Sequence, residues 1–162
     1  MGSYSSIATI GQICYGILLD EEIELPWNDE KYDDGISDWW LYTVKGYESP
    51  FEMFDDDGEY IGGEDRWPIH KVRHYFEHFR LFSRENPIPV ELINVCSHDF
   101  PIYIIALTDT RLVARRGTPT PFDPAKLETV SLGQKEALIK FCDDYEIEYD
   151  GEPRWYLSSH WG

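Results

Sequence analysis

Three groups of residues in this 162-residue chain carry side chains whose types and spacing could do chemistry. His70, His74 and His78 recur at four-residue steps, which on a helix puts them along one stripe with about 40° of drift per step. One pair could hold a metal. The outer two would lie about 12 Å apart along the axis, too far to share an ion. A metallopeptidase needs Glu directly after the first histidine, and Lys71 stands there, so that reading lacks its general base. A polar helix flank, sensitive to pH below about 7 where exposed, is the simpler account. Cys96-Ser97-His98-Asp99 gathers a thiol, a hydroxyl, an imidazole and a carboxylate within four residues. Catalytic nucleophile and base usually converge from distant segments, and adjacent strand residues point to opposite faces. No Gly-rich nucleophile elbow accompanies the cluster, so a strand-ending turn before Pro101 accounts for it more simply than a Cys-His hydrolase.

The third group is carboxylates. Asp55-Asp56-Asp57-Gly58-Glu59 has the composition of a calcium loop without its spacing: the glycine belongs five places after the first Asp, and the residue five places before Gly58 is Met53. Asp29, Glu30, Asp33 and Asp34 form a second run, with Asp38 close behind. Both runs read as solvated surface, and neither marks out a catalytic pair. No metal, cofactor or catalytic residue is therefore assigned. Residues 20 to 65 hold 17 acids against Lys31 and Lys45, a net of −15, while the whole chain, with 31 acids and 14 bases, carries −17. Trp27, Tyr32, Trp39, Trp40, Tyr42, Tyr47, Phe51, Phe54 and Tyr60 interleave these acids. Carboxylates matched to Lys and Arg that would otherwise hold phosphates, with aromatic anchors between them, suit a basic partner groove.

The elements that must position these groups follow from periodicity. Ile7 to Leu19 reads as a long strand, bent or bulged at Gly11 and Gly16. Asp20 to Asp38 reads as an acidic surface loop pinned by Trp27, Trp39 to Val44 as a strand, and Phe51 to Ile61 as a small hairpin turning at Asp57-Gly58. Pro68 to Asn86 is predicted helical, with Ile69, Val72, Tyr75, Phe76, Phe79 and Phe82 on its apolar side. Val90 to Val95, Ile102 to Thr108 and Leu112 to Arg115 read as strands, the last two joined by a turn at Asp109-Thr110. A second helix, capped by Thr129 or Ser131, runs roughly from Gln134 to Tyr145 with Ala137, Leu138, Phe141 and Cys142 inward, and Arg154 to Ser158 is a last strand. The expectation is one α+β domain over 1–162, a mainly antiparallel sheet covered by two helices, with an acidic loop and hairpin region at 20–65.

Composition excludes several classes. With 42% hydrophobic and 15% aromatic residues, wholesale disorder is excluded. No apolar run reaches the roughly 18 residues of a bilayer span, and the N-terminus lacks the basic start and cleavage site of a secretory signal, which predicts a cytoplasmic protein. Cys14, Cys96 and Cys142 are odd in number and widely spaced, the pattern of free thiols rather than of a disulfide framework. The net charge opposes direct binding of nucleic acid or an anionic membrane.

Glu24-Leu25-Pro26-Trp27, the segment Pro89-Val90-Glu91-Leu92-Ile93-Asn94-Val95-Cys96-Ser97 and the ending Trp155-Tyr156-Leu157-Ser158-Ser159-His160-Trp161-Gly162 resemble small acidic uncharacterised proteins of tailed bacteriophages. The resemblance implies a setting, the cytoplasm of a host bacterium, and brings no activity or site residues with it. Taken with the charge distribution, it leads to the expectation of a non-enzymatic inhibitor of a basic, nucleic-acid-handling host protein such as a defence system. The partner-binding residues would be Asp29, Glu30, Asp33, Asp34, Asp38, Asp55, Asp56, Asp57 and Glu59 with Trp39 and Trp40. A small cysteine- or metal-dependent hydrolase and a self-associating virion or assembly protein, with homodimerisation open, remain the alternatives.

Overall fold

The computed structural model describes residues 9–19, 24–49, 68–96 and 102–159, which fall into two compact units: Met1–Pro26 with Pro89–Gly162, and Trp27–Ile88. The fold is α+β, with a five-stranded sheet in which every pairing among the described residues is antiparallel, as the sequence predicts.

In the first unit, β1 (Thr9–Leu18) is the long central strand. One edge of it pairs with β5 (Arg154–Ser159). Along the other edge lie β3 (Tyr103–Leu107), itself flanked by β2 (Val90–Asn94), and then β4 (Leu112–Arg115). β3 and β4 are joined by a turn, at Thr108-Asp109, without pairing with each other. Instead both run antiparallel to β1. Gly16 faces Ala106 and Ile13 faces Leu112, so three extra residues accumulate opposite β1 between the two ladders. Asp109, at φ 69°, lets the chain bulge there.

Thr110 repairs the interrupted ladder. Its buried hydroxyl accepts a hydrogen bond from the Tyr15 N–H at 3.2 Å and donates one to the Leu107 carbonyl at 2.7 Å. A backbone donor that would otherwise be buried without a partner is thereby satisfied. Gly16 is fixed by a different constraint: a Cβ at that position would lie 2.3 Å from the Ile105 carbonyl oxygen, so no other residue fits the sheet there.

On one sheet face Cys14, Ile93, Ile104 and Ala106 form a buried cluster, with Val95 and Tyr156 against it. On the other, Tyr15 meets Trp155 edge-on at 5.6 Å, and the Trp155 indole donates to the Leu127 carbonyl of a short 3-10 turn (Pro124–Glu128). The helix Leu132–Asp144 packs against β3 and buries Leu138, Phe141 and Cys142. Its N-terminus is a capping box: the Gln134 N–H donates to Ser131 Oγ while the Gln134 side chain accepts from the Ser131 N–H. Ala137, expected inward, is exposed, because it lies about 100° round the helix from Leu138.

The second unit contains two helical stretches. The helix Ile69–Glu85 matches its prediction and ends where the Asn86 side chain donates to the Phe82 carbonyl. Val72 is buried and Tyr75, Phe79 and Phe82 are half-buried, whereas Ile69 and Phe76 are exposed, displaced by about 80–100° from that seam. The stretch expected to be a strand, Trp39 to Val44, is helical: a one-turn helix at Ile36–Asp38 runs into a π-helical turn over Trp39–Val44, closed by the Lys45 N–H on the Trp40 carbonyl at 2.9 Å. Trp39, Trp40 and Leu41 are buried consecutively. Three consecutive buried residues do not fit the alternation of a half-exposed strand, and the helical turn prevails over the β propensity of these residues.

Candidate functional site

Within the Trp27–Ile88 unit, aromatic side chains hold the acidic segment in place. The Trp27 and Trp39 rings lie 5.2 Å apart and Trp39 and Trp40 6.4 Å apart. The Trp40 indole N–H donates to the Asn86 carbonyl at 3.0 Å, tying the π-helical turn to the end of the long helix. Tyr47 packs edge-on against Phe79 and Phe82, and its hydroxyl meets His78 Nδ1 at 3.1 Å. The Tyr42 and Tyr75 hydroxyls lie 3.3 Å apart. Burial pushes the Tyr47 phenol up to about 12, with the neighbouring Tyr75 adding to the effect, and burial followed by the Tyr75 hydrogen bond raises Tyr42 as well. Both phenols are neutral at physiological pH and act as packing groups with polar tips.

The acids lie outward on this framework. Seven of the 17 acids in residues 20–65 are described: in this unit Asp29, Glu30, Asp33, Asp34 and Glu48 are exposed and Asp38 is half-buried, while Glu24, also exposed, belongs to the sheet unit. Asp29 forms an Asx turn, accepting from the Lys31 N–H at 3.1 Å and pairing with the Lys31 ammonium at 3.2 Å, which holds its carboxyl below the usual carboxylate range. Asp38 Oδ2 accepts from the Asp34 N–H at 2.9 Å. Among the described residues no other acid of this stretch forms an ion pair, and none of Arg73, Arg80 and Arg84 on the long helix does. The Lys45 ammonium sits 4.8 Å from the centre of the Trp40 ring.

Asp34 and Asp38 also border a cleft of about 460 Å³, whose apolar lining comes from Trp40, Leu41, Phe79 and Ile88. Sequence reasoning missed this cleft. The usable signal was the four-residue interval between the two aspartates, which is helical spacing.

The structure thus gathers Asp29, Glu30, Asp33, Asp34 and Asp38 on one short segment, and it corrects the role given to the tryptophans. Trp39 and Trp40, expected as partner-binding anchors, are 4% and 6% exposed and instead form the internal support of the acids. Asp55, Asp56, Asp57 and Glu59, with the hairpin expected around them, lie outside the described residues.

Of the other groups, His70, His74 and His78 lie exposed along the long helix. Among the described residues no three His, Cys, Asp or Glu side chains converge as metal ligands. Cys96 is half-buried, its N–H donating to Asn94 Oδ1, while Ser97, His98 and Asp99 lie outside the described residues. Cys14 and Cys142 are buried free thiols pushed up to about 11 and about 12 by desolvation, the opposite of what a nucleophile requires. Among the described residues no helix is long and apolar enough to cross a membrane.

Comparison with protein-family models, with curated proteins and with solved structures returns no match.

Proposed function

We propose that this chain is a non-enzymatic, phage-encoded binding protein that inhibits a basic, nucleic-acid-handling host protein by presenting the carboxylates of its acidic segment in place of phosphates. The observation that carries this reading is the combination of exposure and missing counter-ions. Glu30, Asp33 and Asp34 stand in solvent with no ion-pair partner among the described residues, on a segment fixed from behind by Trp27, Trp39 and Trp40. Unneutralised carboxylates on an ordered support keep their charge available for a cationic partner, steer its approach, and repel nucleic acid itself. The resemblance of the quoted segments to small phage proteins supports the bacterial setting.

The test is a pull-down from bacterial lysate at low salt, followed by DNA-binding assays of the captured protein. The expected result is a basic nucleic-acid-binding protein that loses its DNA when this chain is added and is not captured by the Glu30→Lys, Asp33→Lys, Asp34→Lys variant. Recovery of no basic protein, or equal capture by the charge-reversed variant, would overturn the reading.

A second reading, self-association, has its own observation: β5 is bonded to β1 along one edge, and its Leu157 is 81% exposed. An edge strand carrying an exposed leucine suits pairing with a second copy. It predicts a concentration-dependent dimer in size-exclusion chromatography that Leu157→Asp abolishes.

A further inference from the structure

We infer that the cleft bordered by Asp34 and Asp38 is a socket for an arginine side chain of the basic partner. The inference rests on the binding reading above and names the point of contact within it. Three features fix the chemistry. The lining includes two carboxylates, Asp34 and Asp38, neither in an ion pair with a described base, and Asp38 has committed only Oδ2 to the backbone, leaving Oδ1 able to accept from a ligand. The rest of the lining is predominantly apolar, with Trp40, Leu41, Phe79 and Ile88, and carries the polar side chains of Ser37, Ser83 and Asn86. The volume, about 460 Å³, falls within the roughly 300–1,000 Å³ typical of binding pockets and is generous for one side chain.

A ligand matched to this arrangement has an apolar stem and a cationic, planar head. Carboxylate and aryl groups together favour guanidinium over ammonium, since its fork bonds carboxylate oxygens in parallel and its plane stacks on rings. Trp40 already attracts a cation within the chain, the Lys45 ammonium at 4.8 Å from its ring centre. The Trp40 N–H is spent on the Asn86 carbonyl, so hydrogen bonds to a ligand fall to the carboxylates. An anionic ligand is excluded by the two carboxylates, and a purely apolar one would leave them desolvated and unpaired.

The experiment uses the full chain labelled with ¹⁵N and follows the Trp40 indole N–H resonance, assigned by Trp40→Phe, during titration with N-acetyl-arginine amide, with the lysine analogue, and with N-acetyl-citrulline amide, which has nearly the same shape and no charge. The expected result is a saturable shift with the arginine compound, a weaker one with lysine and none with citrulline. Asp34→Asn and Asp38→Asn should each weaken arginine binding about tenfold, the loss of one charge-assisted contact. Because Asp38 also holds the Asp34 N–H, Asp34→Asn is the decisive variant: its own carboxylate makes no hydrogen bond within the described residues. Equal shifts with citrulline and arginine, no saturable shift with arginine, or unchanged affinity in Asp34→Asn would overturn the socket. Polyarginine binding separates this from the wider reading. If polyarginine binds and is released by salt while the amide does not shift Trp40, the socket fails and the acidic face survives; if the amide binds and no basic protein is captured, the socket stands without the inhibitory role.

Discussion

In the sheet unit, three of the twelve described acids, Glu91, Asp144 and Glu152, are paired with a base. Arg111 donates from Nε to Gln12 and from its fork to Glu91, both at 2.8 Å, Thr110 closes the gap in the β1 ladder, and Lys135 and Lys140 pair with Glu152 and Asp144. In the Trp27–Ile88 unit one of the eight described acids is paired: Asp29 pairs with Lys31, while Glu30, Asp33, Asp34, Asp38, Glu48, Glu77 and Glu85 pair with no described base. Surface pairs contribute only about 0–1 kcal/mol each, so the contrast says little about stability. Open carboxylates occur in both units, and what sets those of the Trp27–Ile88 unit apart is the aromatic support that holds their segment.

The difference can be broken first at Gly16. Gly16→Val would drive a side chain into the Ile105 carbonyl at the centre of the sheet, and we expect a loss of more than about 4 kcal/mol, seen as collapse of the thermal transition or of soluble yield. A charge-neutralising change in the acidic segment should do nothing comparable. A smaller break comes from Thr110→Val, which keeps the shape and removes the acceptor for the Tyr15 N–H; denaturant titration should show a loss of about 1–3 kcal/mol.

Alkaline pH sharpens the comparison without mutation. In the sheet unit Cys14 and Cys142 keep their protons to about 11 and about 12, whereas an unfolded thiol loses its proton near 9.0. Above pH 9 the unfolded chain therefore releases protons that the folded one retains, so the thiol contribution is full below that pH and is lost as pH rises towards 11. Tyr47 in the acidic unit repeats the effect from about 10 to about 12. Hydrogen exchange across this range should show the sheet unit weakening first; simultaneous weakening, or rapid thiol labelling of Cys14 at pH 8, would contradict it. The smallest effect is expected from Glu30→Gln with Asp33→Asn, which should change stability by no more than about 0.5 kcal/mol in a denaturant titration while reducing binding to a basic partner.

Much of the sheet unit was legible in the sequence. The apolar run around Cys14 and Ile17, the strand pattern from Val90 to Arg115 and a cap at Thr129 or Ser131 each announce their element through local pattern. What local pattern could not carry was pairing: the bulge at Thr108 to Arg111 depends on β1, almost a hundred residues away, and on one hydroxyl filling a gap in its ladder. The acidic unit was less legible for a related reason. Trp39 to Val44 has the residue types of a strand, and its helical turn, with Trp39, Trp40 and Leu41 buried in succession, departs from that local propensity. That same burial withdraws the two tryptophans from the surface role that composition suggested, and it produces the cleft beside Asp34 and Asp38, which no linear spacing of apolar residues marks out.

The central claim, that the acidic segment is an uncompensated anionic surface, is tested most directly by the affinity of the full chain for a polyarginine peptide as salt is raised from about 50 to about 200 mM, a range over which exposed charges become strongly screened. The account predicts a steep fall in affinity, and a shallower one from a weaker starting point in the Glu30→Gln, Asp33→Asn, Asp34→Asn variant. Affinity that ignores salt, or that is the same in the variant as in the parent chain, would contradict it.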